Sequence, residues 1–358
     1  MGLGVSRHAV LGICALALFG CTRHPELPAP RTDRCGLSGS NARWLQSIVD
    51  GWERAARDFL EIDPEPLPTA ILFDAACTWH LPAGTGEPGG SGTTAMAVRF
   101  EGRAVPVRGA SHRGTVLLPN GARIPADIIA VAMPHPDRGD DFLVLAMPDL
   151  WLRHPEASRD PHILTRIRSV ALHEMLHTRQ LPNLRRKVSA LGSRFDLPAA
   201  FDDDVIEERF KGSAAYTRMF IAERSLLYEA VLEPGLDRKQ ALIAQALSIV
   251  RSRQRHFLCG ENEPYAALEG LFLNMEGVAE WVRFMHHHAD SAWPNEKADI
   301  IRFLRGRDNS WSQDEGLALI LLLDDLVPDW KQKILSAEMP SPFDVLSGGA
   351  VPCSGAPR

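Results

Sequence analysis

Residues Ile163 to Leu181 read ILTRIRSVALHEMLHTRQL, and His173-Glu174-Met175-Leu176-His177 at the centre decides how the chain is understood. Apolar side chains at Ile163, Ile167, Val170, Ala171 and Met175 recur at helical spacing, which predicts a buried or half-buried helix. Pro161 suits its first turn, and Pro182 predicts its end. On such a helix His173 and His177 stand one turn apart on one face, where two imidazoles can converge on a single metal ion. Glu174 lies beside them, placed to take a proton from a water rather than to ligate.

The rest of the chain bounds what such a helix can serve. Its 358 residues suffice for one large domain or two modest ones, and 45% hydrophobic with 23% charged residues is an ordinary globular composition. A net charge of -6 without any long Lys/Arg block argues against a nucleic-acid partner, whose phosphates demand a basic stripe. Near the start, Arg7 and His8 precede an apolar run from Ala9 to Phe19 that is too short to span a bilayer permanently. This is the pattern of a cleaved export signal over residues 1–20. It ends in Leu18-Phe19-Gly20-Cys21, which resembles the lipobox of bacterial lipoproteins. The resemblance implies lipidation of Cys21 and attachment to a membrane in the bacterial cell envelope, facing the periplasm. Setting aside Cys14 in the signal and Cys21 at the anchor, four of the six cysteines remain: Cys35, Cys77, Cys259 and Cys353. In an oxidising compartment they allow three pairings, and no CxxC spacing suggests a thiolate metal site.

In chain order, residues 21–40 are rich in Pro, Gly and Ser and read as a flexible tether. Residues 41–155 hold an amphipathic helix, Asn41 to Ile62, closed by Pro64, Pro66 and Pro68, and then a β-rich region. There, Ala70–Phe73, Val116–Leu118, Ile128–Val131 and Phe142–Ala146 are strand-like runs. Gly84 to Gly92 is a glycine-crowded loop, and Asn120-Gly121 is a turn between the second and third runs. Three to five mostly antiparallel strands are expected. Residues 156–335 form a helical lobe carrying the metal helix, with further helices near Val205–Phe210, Ala214–Leu232, Arg238–Leu258, Tyr265–His288, Lys297–Arg305 and Gln313–Leu326. Residues 336–358 are a Pro/Gly/Ser-rich tail. The expected class is α+β: a small, mostly antiparallel sheet followed by a larger helical lobe, with the His173–His177 helix at their junction.

The segment HEMLH resembles the HExxH motif of the zinc peptidases known as zincins. Gln180 and Asn183 stand where the metzincin extension would place its Gly and third His, so that branch does not fit. The gluzincins, in which a Glu on a second helix completes the site, fit better. Asn274-Met275-Glu276-Gly277-Val278-Ala279 resembles their NEGxA element with Met275 inserted. The resemblance implies Glu276 as third ligand, with Gly277 letting two helices approach closely. Glu269, also followed by Gly, is the alternative ligand, and Glu280 shares the same helix face. Either could otherwise support a ligating imidazole. Also implied are a zinc cofactor, a zinc-activated water with Glu174 as general base, and a peptide or protein substrate. An oxyanion donor is sought among Tyr216, Tyr228 and Tyr265, with Tyr265 favoured because it precedes the Glu276 segment. Phe142–Ala146 is either an edge strand that pairs with substrate or a buried core strand. Asp202-Asp203-Asp204 is explained by a helix N-terminus, since EF-hand spacing is absent. The alternative function is that of a non-catalytic envelope lipoprotein, a binding or assembly factor.

Overall fold

The strands, in chain order, are β1 (Val10–Leu11), β2 (Thr69–Phe73), β3 (Cys77–Leu81), β4 (Thr93–Phe100), β5 (Arg103–Ser111), β6 (Thr115–Leu117), β7 (Arg123–Pro125), β8 (Ala130–Met133), β9 (Phe142–Ala146) and β10 (Ala200–Phe201). The helices are α1 (Gly39–Arg54), α2 (Pro148–Trp151), α3 (Ile163–Gly192), α4 (Val205–Phe210), α5 (Ala214–Leu232), α6 (Leu236–Phe257), α7 (Glu263–His288), α8 (Lys297–Leu304), α9 (Trp311–Leu326), α10 (Trp330–Ile334) and α11 (Pro342–Ser347). The computed structural model describes residues 10–11, 35–37, 39–82, 93–135, 141–155, 157–197, 200–290, 296–305 and 309–349. The expected signal and lipobox, apart from residues 10–11, lie outside these residues, as do most of the tether, the Gly84–Gly92 loop, Cys353 and the end of the tail. The class is α+β, as expected. Two compact units are distinguished, Ala15–Pro182 with Met285–His287, and Met1–Cys14 with Asn183–Phe284 and His288–Arg358.

In the first unit six strands form a mixed sheet in the order β4-β5-β3-β2-β9-β8, in which β2 and β9 are parallel and the other pairs antiparallel. That exceeds the three to five strands expected. The β4–β5 hairpin escapes a search for apolar runs because it is half exposed, burying Val98, Phe100 and Val107 between charged and small residues. The Asn120-Gly121 turn forms where expected, with Gly121 at φ 80°. However, it joins β6 to β7 in a separate two-stranded ribbon, while β8 pairs with β9 instead. β9 is therefore not an edge strand: it lies between β2 and β8 with all five residues buried, and β8 is the edge. α1 turns Trp44, Leu45, Ile48, Val49 and Trp52 inward, and Gly51 allows it to meet Leu172 of α3. A disulfide joins Cys35 to Cys77, tying the chain before α1 to β3, and Cys259 is disulfide-bonded as well.

Pro182 does not end α3, which runs on to Gly192. A proline inside a helix lacks the N–H that would bond the carbonyl four residues earlier. Here the continuation is held by its own apolar stripe, because Leu181, Leu184 and Val188 are buried. Tertiary packing outweighs the local penalty.

In the second unit α4 to α9 fall within about two residues of their expected bounds, whereas α10 and α11 were not expected. α9 starts with a complete capping box, Ser310 accepting from the Gln313 N–H while the Gln313 side chain accepts from the Ser310 N–H. Its apolar face packs against α7 at a point with no room for side chains. A Cβ on Gly277 would stand 2.7 Å from the Gly316 carbonyl oxygen, and one on Gly316 would stand 2.7 Å from the Gly277 Cα. Gly277 thus does provide close approach, but to α9. The first part of the expected tail also packs on α7: Asn274 Nδ2 donates to the carbonyls of Ile334 and Pro340, and Met339, Pro342 and Phe343 are buried. Gly316→Ala should lower stability by about 1–3 kcal/mol, because the obstacle is backbone and cannot rotate away. Urea unfolding measures this against Gly349→Ala, where the new Cβ meets nothing within 4 Å.

Candidate metal centre

His173, Glu174 and His177 are each 1% exposed, on a stretch of α3 that also buries Val170, Ala171, Leu172, Met175 and Leu176. The helical repeat brings the two imidazoles edge to face, their centroids 4.4 Å apart, with Nε2 of each ring 2.8 Å from the other. Behind His177, its Nδ1 lies 2.8 Å from Gln180 Oε1, one turn further along the same helix. Glu174 is held from the sheet, where the Ala132 N–H of β8 donates to its Oε2 at 2.8 Å. The register explains why that donor is available. Ala146 N–H bonds the Ile129 carbonyl, so alternation along β8 turns the main-chain groups of Ala130 and Ala132 away from β9.

Glu276 on α7 is also 1% exposed. Gln313 Nε2 donates to its Oε2 at 3.2 Å, so the residue that caps α9 also steadies this carboxylate. The Gly277–Gly316 approach makes this reach possible, since Gln313 lies one turn before Gly316 on α9. Asp203 interacts with Glu276 as well. It is 3% exposed, takes a hydrogen bond from Ser310 Oγ at 3.4 Å, and its carbonyl takes one from Ser312 Oγ. Burial first, and Glu276 next, hold its carboxyl well above the usual carboxylate range. The acidic run therefore does more than precede a helix: its middle residue turns inward.

His173, His177 and Glu276 form a buried group in which one ligand atom from each lies within 4.8 Å of the others, an arrangement that can bind a metal ion. Two nitrogens on one tetrahedral ion at ordinary bond lengths lie about 3.3 Å apart. The two Nε2 atoms at 2.8 Å would separate slightly to hold one. Two neutral imidazoles and a carboxylate would leave a tetrahedral ion one position for water.

The rival carboxylates are engaged otherwise. Glu269 accepts from Arg253 Nη1 at 2.5 Å, Gln254 Nε2 at 3.0 Å and the Tyr216 hydroxyl at 3.2 Å. Glu280 accepts from Arg283 Nη1 at 2.6 Å. Tyr265 is not brought to the group. It precedes Glu276 by three turns of α7, roughly 16 Å of rise, and its ring meets Phe210 with Arg209 above it. The Tyr228 hydroxyl bonds Asp314 and that of Tyr216 bonds Glu269, so neither supplies the expected oxyanion donor. Gln313 and the Ala132 N–H were not legible as site groups in the sequence, because neither belongs to a spacing pattern. No protein-family model, curated protein or solved structure matches this chain.

The Arg253 cluster gives this part of the fold a pH dependence. Arg253 is fully buried among Glu223, Glu269, Glu315 and Tyr216, and the Glu223 and Glu315 side chains hydrogen-bond each other, which requires a shared proton. Burial pushes Glu223 from 4.5 up to about 7, against the pull of Arg253, and holds Glu315 well above its ordinary value. With folded values above unfolded ones, the native state retains the extra proton. The pair's stabilising contribution is thus complete below pH 4.5 and is lost as pH rises toward 7. Unfolding free energy measured from pH 4.5 to 7 should therefore fall more steeply in the wild type than in Glu315→Gln.

Proposed function

We propose that the protein is a zinc-dependent peptidase of gluzincin-like type, with His173, His177 and Glu276 as ligands and Glu174 as general base. The observation that carries this reading is the burial of Glu174 next to the two ligand histidines, with its carboxylate fixed by the Ala132 N–H. A metal serving only to hold the fold has no use for that group, which argues against the non-catalytic alternative. When bound, zinc would supply Lewis acidity to the scissile carbonyl and acidity to a water. Glu174 takes the proton from the attacking water and returns it to the departing amine. Gln313 restrains one oxygen of Glu276, which orients this ligand.

The substrate strand runs along β8 in this reading. β8 is the edge of the six-stranded sheet, and apart from the Ala132 N–H, which Glu174 holds, its outward main-chain groups suit strand addition by an extended peptide. This replaces β9 in that role. The Arg7–Cys21 pattern supports attachment to the bacterial cell envelope through a lipidated Cys21. No described helix is long and apolar enough to cross a membrane.

Elemental analysis should find about one zinc per chain, as one site of this donor set requires. His173→Ala and Glu276→Ala should lose it, and Glu269→Gln should keep it. Glu174→Gln should retain zinc and cleave a quenched-fluorescence peptide library about 100- to 10,000-fold more slowly. Unchanged cleavage by Glu174→Gln would sink the mechanism, and absence of zinc from the wild type would sink the site.

A further inference from the structure

An imidazole binds a metal only through a nitrogen that carries no proton, so the tautomer of each ligand histidine matters as much as its position. On the side away from His173, His177 Nδ1 lies 2.8 Å from Gln180 Oε1. A carbonyl oxygen can only accept. The proton of a neutral His177 then sits on Nδ1, and Nε2, the atom facing His173, presents its lone pair. The contact is local to α3. A residue three positions on lies on the same helical face, and Gln180 is 7% exposed, with Leu181 beside it buried. Water therefore competes little for either partner.

Resting on the reading of His177 as a ligand, we propose that Gln180 is the positioning residue that holds His177 in its Nδ1–H form and aims Nε2 at the metal. One further consequence follows for the metal-free chain. With His177 Nε2 unprotonated, the 2.8 Å contact between the rings is a hydrogen bond donated by His173 Nε2–H. His173 must then move its proton to Nδ1, or lose it, before it can ligate, whereas His177 is ready. An amide behind the imidazole also differs in kind from a carboxylate. It fixes the ring without adding negative charge, so the imidazole is a weaker donor and the metal stays more electrophilic.

The experiment uses the full chain, with Gln180→Met and Gln180→Glu compared to wild type. Methionine fills similar space without an acceptor, and glutamate restores the acceptor with added charge. Two readouts are taken: the tautomer of His177 in metal-free protein, from histidine ring nitrogen NMR assigned with His177→Ala, and zinc affinity by chelator competition. Expected are Nδ1–H in wild type, mixed tautomers in Gln180→Met, a 10- to 100-fold loss of affinity in Gln180→Met, and recovery to wild-type affinity or tighter in Gln180→Glu. An Nε2–H tautomer in wild type, or equal affinity of wild type and Gln180→Met, overturns the proposal while zinc binding by wild type leaves the site itself standing. If wild type shows Nδ1–H and binds no zinc, the metal reading fails and the positioning role fails with it.

Discussion

Four ionisable side chains, His173, Glu174, His177 and Glu276, are removed from water, and much of the surrounding structure answers that cost. A buried carboxylate without hydrogen bonds is among the most expensive groups a fold can contain. Three of them have received a neutral partner, each from a different source. The edge of the sheet provides the Ala132 N–H for Glu174, α3 itself provides Gln180 for His177, and the capped start of α9 provides Gln313 for Glu276. None of these partners is charged. A salt bridge behind a ligand would compete with the metal, whereas an amide orients the same group and leaves its charge available.

α7 shows the same logic by contrast. Glu269, Glu276 and Glu280 share a helix face, and the resemblance of Asn274–Ala279 to the gluzincin element favoured Glu276; the other two are neutralised by buried arginines, Arg253 and Arg283. Glu276 is bonded by an amide instead. The local motif did not assign these fates; the helices that cross α7 did. Gly277 and Gly316 fix how near α9 comes, and that distance decides that Gln313 reaches the residue beside Gly277. Asp203 and Glu276, two buried carboxyls in interaction, are tolerable because Asp203 is held toward its protonated form.

How legible each element was depended on how local its cause is. The bounds of α4 to α9 were readable because apolar spacing of 3.6 residues persists over many turns, although the Ser310 cap that starts α9 was not read. β4 and β5 were not, because a half-exposed hairpin of charged and small residues resembles a loop until it is paired. The turn at Gly121 was legible and its partner strand was not: turn chemistry is local, while the choice of Arg123–Pro125 over Ala130–Met133 belongs to the sheet. Pro182 misled in the same way, since its local penalty was outweighed by burial of Leu184 and Val188.

For the site, His173, Glu174 and His177, and the helix face that the two histidines share, followed from sequence alone, because four positions on a helix make one turn whatever surrounds it. The preference for Glu276 over Glu269 followed as well, from the resemblance of Asn274–Ala279 to the gluzincin element, but the partners that set the two apart did not. The engagement of Glu269 by Arg253, like the role of β8 as the edge and the loss of Tyr265 from the site, came only from the tertiary structure. The reason is physical. A one-turn pair is set by backbone geometry within five residues, whereas a third ligand far along the chain is set by which helices cross, how closely their glycines let them approach, and which buried charges are already paired.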